Sequence, residues 1–378
     1  MKKLILISFI AVLLIGLVVS GCKAPQPTTE PAPTAEPAPA PTTTEEPIRL
    51  IFACTAPEQG VEAEMIRWWN EELEKRSPVP VVVDIYWASS LAGHREMIEA
   101  TQSGMADIGH TSCGIHFKNF PMLGRLGQMQ LFNDKPAARI MTDTWLCGEV
   151  PEAAAEFEKN NLTMLFNYGF ANYHILSVEP ARSLAELEGL KVRVQGPENA
   201  AIIKAIGGVP VDLQMPEIYD GMLKRITDAT ITDPDLATRF KLEEVGKYLI
   251  RIGIGANPIM MAAMNLDTWN SLPPEVQQVL SDLHTEFPPR YCELLSRDMK
   301  EKTFKILDDA GVEIIDLPAA DLETIKNHPD LVAIQESWPE VIAQDKPDVS
   351  VDRLEEIRQL FIQKLEENNT RYPDTFEP

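Results

Sequence analysis

The chain has 378 residues, with 34 basic against 57 acidic side chains and a formal charge of −23 at pH 7. So large an acidic excess excludes nucleic acid and anionic lipid surfaces as partners of the chain as a whole, although a local basic site inside it stays open. Its five cysteines are too few and too scattered for a disulfide framework. Of the four after Cys22, free buried thiols are expected, with one bridge left open.

Lys2 and Lys3 give the N-terminus a positive start, Leu4 to Val19 is an almost unbroken apolar run, and Val19-Ser20-Gly21-Cys22 supplies the small residues that a lipoprotein signal peptidase needs before a cysteine. Residues 1–22 therefore read as a lipoprotein signal peptide. Cys22 is expected to be the lipid-modified first residue of the mature protein, exported and anchored to the outer face of the cytoplasmic membrane or in the periplasm. A spanning anchor fits less well, because the apolar run is short and ends in this motif. Lys23 gives no Asp-type retention signal and leaves open which membrane holds the lipid. Residues 23–47, rich in Pro, Thr, Ala and Glu, read as an extended, disordered tether reaching up to roughly 75 Å at polyproline rise.

The remaining sequence exceeds one ordinary domain. Leu50 to Ala53 is apolar, Glu62 to Glu74 carries Met65, Ile66, Trp69 and Leu73 on one helical stripe, and Val81 to Tyr86 is rich in β-branched residues. A helix over Arg95 to Ser103 and a strand over Ala106 to His110 follow. This alternation predicts a mainly parallel sheet with ligand-facing loops at the strands' carboxyl ends. The pattern recurs: strands at Leu162 to Asn167, Tyr173 to Ser177, Val209 to Asp212 and Thr227 to Ile231, and a helix from Glu217 to Lys224. Two α/β lobes follow from that doubling. Leu266 to Leu307 is expected to be mostly helical, kinked at Pro288-Pro289 and long enough to brace both lobes. A strand at Val312 to Leu317 and an amphipathic helix carrying Leu354, Ile357, Phe361 and Leu365 complete the chain.

The stretch SLAELEGLKVRVQGPENAAIIKAIGG, Ser183 to Gly208, is the most informative. Val192 and Val194 alternate with Arg193 and Gln195, so a strand sends the valines into a core and Arg193 to the other face. Pro197 opens a helix at once, and Gly207-Gly208 ends it. An arginine at a strand's carboxyl end beside free helix N–H groups can hold an anion, although a solvated arginine is the commoner outcome.

Catalytic signatures are missing: no phosphate loop ending in Lys-Ser or Lys-Thr, no His-Glu-x-x-His, no Gly-x-Ser-x-Gly and no Cys-x-x-Cys. No cofactor is called for. His94, His110, Cys113 and His116 form the one cluster of soft ligands, near loops that follow strands, but their spacing matches no standard metal site. Phe52, Trp87, Tyr173, Met215 and Tyr219 can line a partly apolar pocket or pack in the core.

Five stretches in order, SSLAGHREMIEATQSGMADIG, SLAELEGLKVRVQ, VPVDLQMPEIYDGMLKRITDATIT, FKLEEVGKYL and MNLDTWNSLPPEVQQVL, give the chain from Ile48 to about Trp338 a resemblance to the extracytoplasmic solute-binding proteins of tripartite ATP-independent periplasmic (TRAP) transporters. The resemblance implies an α/β, two-lobe periplasmic-binding-protein-like fold with a hinge, and no enzyme activity. It implies lobe I at 48–170 plus about 259–298, and lobe II at 171–258 plus about 299–378. It further implies closure around a small carboxylate solute and delivery to a TRAP-type membrane permease driven by an ion gradient. Arg193 matches the family's carboxylate-pairing arginine. Gln195, Met215, Tyr219 and Thr230 to Asp233, with Thr232 and Asp233 at its end, match other second-lobe positions; His94, Thr111, Ser112 and Thr55 to Glu58 match first-lobe ones. Tyr173 stands where some members carry a second basic contact, and Thr232 where many carry Asn. Trp87 completes the expected ligand contacts, and the solute is expected to be less sugar-like than a polyhydroxy acid. Two rivals remain: a metal or metal-complex carrier built on the His/Cys cluster, and a ligand-binding subunit of a sensory system.

Overall fold

The computed structural model describes residues 46–129, 131–133, 135–255 and 259–378. The leader, Cys22 and residues 23–45 of the tether lie outside the described residues. The strands are β1 (Ile48–Ala53), β2 (Val81–Tyr86), β3 (Ile108–Ser112), β4 (Leu162–Tyr168), β5 (Tyr173–Ser177), β6 (Lys191–Val194), β7 (Val209–Asp212), β8 (Ala229–Thr232), β9 (Tyr248–Ile254), β10 (Met260–Asn265) and β11 (Glu313–Asp316). They form a five-stranded sheet, β2-β1-β3-β10-β4, and a six-stranded sheet, β11-β9-β5-β8-β6-β7. Helices cover both sheets, which makes the fold the two-lobed α/β architecture.

The sheets are mixed, which corrects the expectation of a mainly parallel arrangement. β1 is parallel to β2 and β3, but β10 runs antiparallel to both β3 and β4. In the second sheet β6 is parallel to β7 and β8, whereas β5 runs antiparallel to β8 and β9. The two reversed strands are those the chain forms just after leaving the other sheet: β5 follows β4, and β10 follows β9. A strand entering directly from the neighbouring lobe, with no helix to carry it back, arrives pointing the opposite way.

One apolar cluster joins the lobes. Helix Pro274–Asp298 packs along helix Val61–Arg76 and β4. Phe287 stacks on Phe166 at 4.0 Å between ring centroids, and Trp69 stands edge-on to Phe166 at 5.5 Å. The same cluster continues into the second lobe through Leu176, Ile218, Met222 and Leu249. The long helix runs through Pro288 and Pro289, and its regular spacing fails later, in a wide π turn at Met299–Thr303.

The final helix, Val351–Arg371, lies against helix Pro136–Glu149. Its Leu354, Ile357, Phe361 and Leu365 share a cluster with Leu146 and Phe157, beside the first sheet. The second-lobe assignment of 299–378 therefore divides: β11 pairs with β9, while 351–371 buries its apolar stripe on the first lobe. Beyond it the chain turns back across the hinge. Asp374 accepts from Ser296 Oγ and Lys300 Nζ, both at 2.7 Å. Phe376 is 1% exposed within the shared cluster. Glu377 accepts from His174 Nε2 at 2.6 Å and Arg251 Nη1 at 3.3 Å, one partner on each of the strands by which the chain enters and leaves the second sheet. Burial pushes its carboxyl up, but the hydrogen bond from His174 and the Arg251 charge outweigh this and hold it below the usual value.

Truncating so buried an anchor leaves a cavity. Phe376→Ala is expected to lower unfolding free energy by about 3–5 kcal/mol, measured as a fall in urea midpoint at unchanged slope.

Candidate functional site

The edge of the second sheet is built as the alternation in KVRVQ requires. Val192 and Val194 enter the core beneath helix Gly196–Ala205, whose first turn holds Pro197. Gly196, at φ 83°, makes the left-handed turn between strand and helix that a side chain would strain. Arg193 takes the other face yet is only 3% exposed. Its Nε donates to the Leu213 carbonyl at 2.8 Å, and among the described residues no carboxylate lies within ion-pair distance. Burial lowers its pKa from the ordinary guanidinium value, with Tyr173 and Asp212 opposing. A cation withdrawn from water without an anion is costly, and an anionic ligand would offset that cost.

Around it stand residues from the same edge. Thr232 ends β8 and is buried. Asp233 caps the helix Pro234–Arg239, its Oδ1 accepting from Leu236 N at 3.0 Å, while its Oδ2 is buried without a partner. Burial, then the charge of Asp235, raises the Asp233 carboxyl well above the usual range. Tyr173, at the start of β5, is half-buried, and its hydroxyl senses Asp233 and Arg193 together. Met215 is half-buried against the shared apolar cluster. Tyr219 already donates its hydroxyl to Glu244 Oε2 at 2.8 Å, and Gln195 is exposed.

In the first lobe, Thr55, Trp87, Thr111 and Ser112 follow or end the parallel strands β1, β2 and β3, so they share one edge. Thr111 Oγ1 and His116 Nε2 both donate to the His94 carbonyl, at 3.2 and 2.7 Å. Ser112 Oγ accepts from Gly114 N. Trp87 is half-buried under the Arg67 guanidinium, 5.2 Å from its ring centroid. Phe52 is core, packed edge-on against Trp69 and Phe166. The two edges meet through a contact the sequence does not advertise: Arg239 Nη1 donates to Glu62 Oε2 at 3.0 Å.

The His/Cys cluster is divided: His94 and His116 stay together, while His110 and Cys113 face elsewhere. Strand alternation sends His110 and Thr111 to opposite faces of β3. His110 Nδ1 accepts from Thr55 N at 3.3 Å, which places the proton on Nε2, donating to Tyr168 Oη at 2.6 Å. Cys113 Sγ lies on Met261 Sδ. Among the described residues no group of three or more His, Cys, Asp and Glu could hold a metal ion, so geometry gives the metal-carrier reading no support. The four described cysteines are free and buried.

Residues 52–343 match the family described as bacterial extracellular solute-binding protein, family 7 (DctP). The chain belongs to this family and is a solute-binding protein. Among its relatives are the 2,3-diketo-L-gulonate-binding periplasmic protein YiaO of Escherichia coli (25% identical, 65% of this chain and 74% of that one) and the C4-dicarboxylate-binding periplasmic protein DctP of Rhodobacter capsulatus (24%, 70% and 79%). The fold matches a TRAP periplasmic solute-binding protein from Desulfovibrio salexigens in an open complex, with TM-score 0.73, 24% identity and coverage of 86% of this chain and 97% of that one. A second protein from that organism, with bound orotic acid, matches at TM-score 0.69, 18% identity, 85% and 99%. No helix of the described residues is long and apolar enough to cross a membrane.

Burial pushes His110 from 6.5 down to about 3. The folded state therefore binds fewer protons than the unfolded chain between those values, so this contribution to stability is complete above pH 6.5 and is lost as pH falls towards 3. Nitrogen NMR is expected to show the ring neutral and Nε2-protonated down to about pH 4, and a His110→Gln variant is expected to lose part of the acid slope of its unfolding free energy.

Proposed function

We propose that the protein captures a small carboxylate-bearing solute between its lobes and delivers it to a TRAP-type membrane permease. The observation that carries this reading is Arg193: a buried guanidinium near the carboxyl end of β6, bonded once to backbone and, among the described residues, without an ion-pair partner. A carboxylate accepts a bidentate pair from such a group. Tyr173 acts on its charge, Thr232 and Asp233 stand at the end of the neighbouring strand β8, and half-buried Met215 adds apolar surface. His94, Thr111, Ser112 and Trp87 are the first-lobe groups that complete the site on closure, while Gln195 and Tyr219 contribute through backbone or ring surface. No bond is made or broken, and the free-energy gain of the contacts shifts the lobes towards the closed state.

The ligands named for relatives support the carboxylate. Pyroglutamate, orotate, β-D-galacturonate and 3-hydroxybenzoate are bound by proteins of this fold. The half-buried aromatic groups here favour a compact or ring-bearing acid over a polyhydroxy one. Cys22 anchors the mature chain to the outer face of a membrane, and residues 23–47 give it reach.

A thermal-shift panel of carboxylates, with mass spectrometry of co-purified solute, tests the reading. Arg193→Met is expected to abolish the ligand-induced rise while leaving the ligand-free melting temperature equal or higher, because an unpaired buried charge has gone. Arg193→Lys is expected to bind about 100-fold more weakly. Undiminished binding by Arg193→Met would remove the assignment. Cys22→Ala is expected to move the protein from the membrane to the soluble fraction of fractionated cells.

A further inference from the structure

Glu62 and Arg239 belong to different lobes. Glu62 lies in the first turn of helix Val61–Arg76, directly after the loop that leaves β1, and its side chain is 8% exposed. Arg239 ends the helix that Asp233 caps, directly after β8, and is 20% exposed. They meet at 3.0 Å across 177 residues of sequence, while Arg239 Nε lies 3.0 Å from Asp235 Oδ2 on its own helix. Gly60, at φ 95°, brings the first-lobe loop beneath the arginine: a Cβ there would lie 3.8 Å from Arg239 Cδ. Both loops joined in this way are the ones that carry expected ligand contacts, Thr55 to Glu58 on one side and Thr232-Asp233 on the other. The pair also lies close enough for the Tyr173 hydroxyl to sense both charges.

We infer that Glu62 and Arg239 form an interlobe clasp that positions the two ligand-facing loops and holds the lobes together, without touching the solute. Separating the lobes strips Glu62 of its partner and leaves Arg239 with Asp235. Asp235 keeps the guanidinium aimed, but Glu62 has no second cation within ion-pair distance among the described residues. Opening therefore breaks a charge-assisted hydrogen bond that only water replaces at Glu62. The clasp deepens the solute-capture reading, but its test needs no ligand, so the two can fail separately.

Residues Glu45–Pro378 form one compact unit, and this segment serves for measurement. Spin labels at Asp84→Cys in the first lobe and Asp220→Cys in the second occupy exposed positions, 53% and 62%, and the native thiols are buried. Interlobe distances are then read by double electron–electron resonance in the ligand-free protein. Glu62→Ala and Arg239→Met are each expected to shift the distribution to longer distances, and the double variant to shift it no further than either single one, as one shared bond requires. Arg239→Lys, which keeps the charge with a different reach, is expected to fall between parent and Arg239→Met and serves if the latter does not fold. Distances unchanged in Glu62→Ala and in a folded Arg239 variant, or shifts that add in the double variant, would overturn the clasp.

Discussion

The arrangement of the second lobe depends on an unsatisfied positive charge. Arg193 is withdrawn from water at the carboxyl edge of β6, where the backbone carbonyl of Leu213 takes one of its N–H groups and, among the described residues, no carboxylate takes the rest. Leaving such a group without an anion costs free energy, which an anionic ligand would offset. Beside it, the strands β8 and β5 bring threonine at 232, tyrosine at 173 and an aspartate at 233 whose carboxyl is pushed up by burial and by the charge of Asp235. Under the proposed solute capture, the ligand brings the missing anion with it.

Local pattern made that edge legible. A period of two in KVRVQ, a proline after the glycine turn and a glycine pair ten residues on specify strand, turn and helix with little help from the rest of the chain. Local pattern also misleads where faces matter. His110, Cys113 and His116 look like a constellation in one dimension, but one step along β3 turns His110 towards Thr55 and Tyr168 and leaves its neighbour Thr111 with His94 and His116. Tyr219 stands where a ligand contact is expected, and the proximity of Glu244 occupies its hydroxyl.

Two features had no local signal. β10, MMAAMN, is buried at every position and contains no β-branched residue, so it neither alternates nor shows strand propensity. Its conformation is imposed by β3 and β4 on either side. Glu62 reads as an acid at a helix N-terminus and Arg239 as a base at a helix C-terminus, each satisfied by the helix dipole alone. Their meeting is a property of the assembled lobes, like the bonds from Glu377 to β5 and β9.

The crossing strands also fix an order of events. Among the described residues β4 pairs in the first sheet with β10 alone, and β10 is made after nearly all of the second sheet. A chain synthesised from its N-terminus therefore carries an unfinished first lobe, with β4 unpaired, until residue 265 has emerged. Neither lobe corresponds to a contiguous stretch that could be cut out and folded separately. The hinge that permits motion in the finished protein also makes its two halves interdependent during folding.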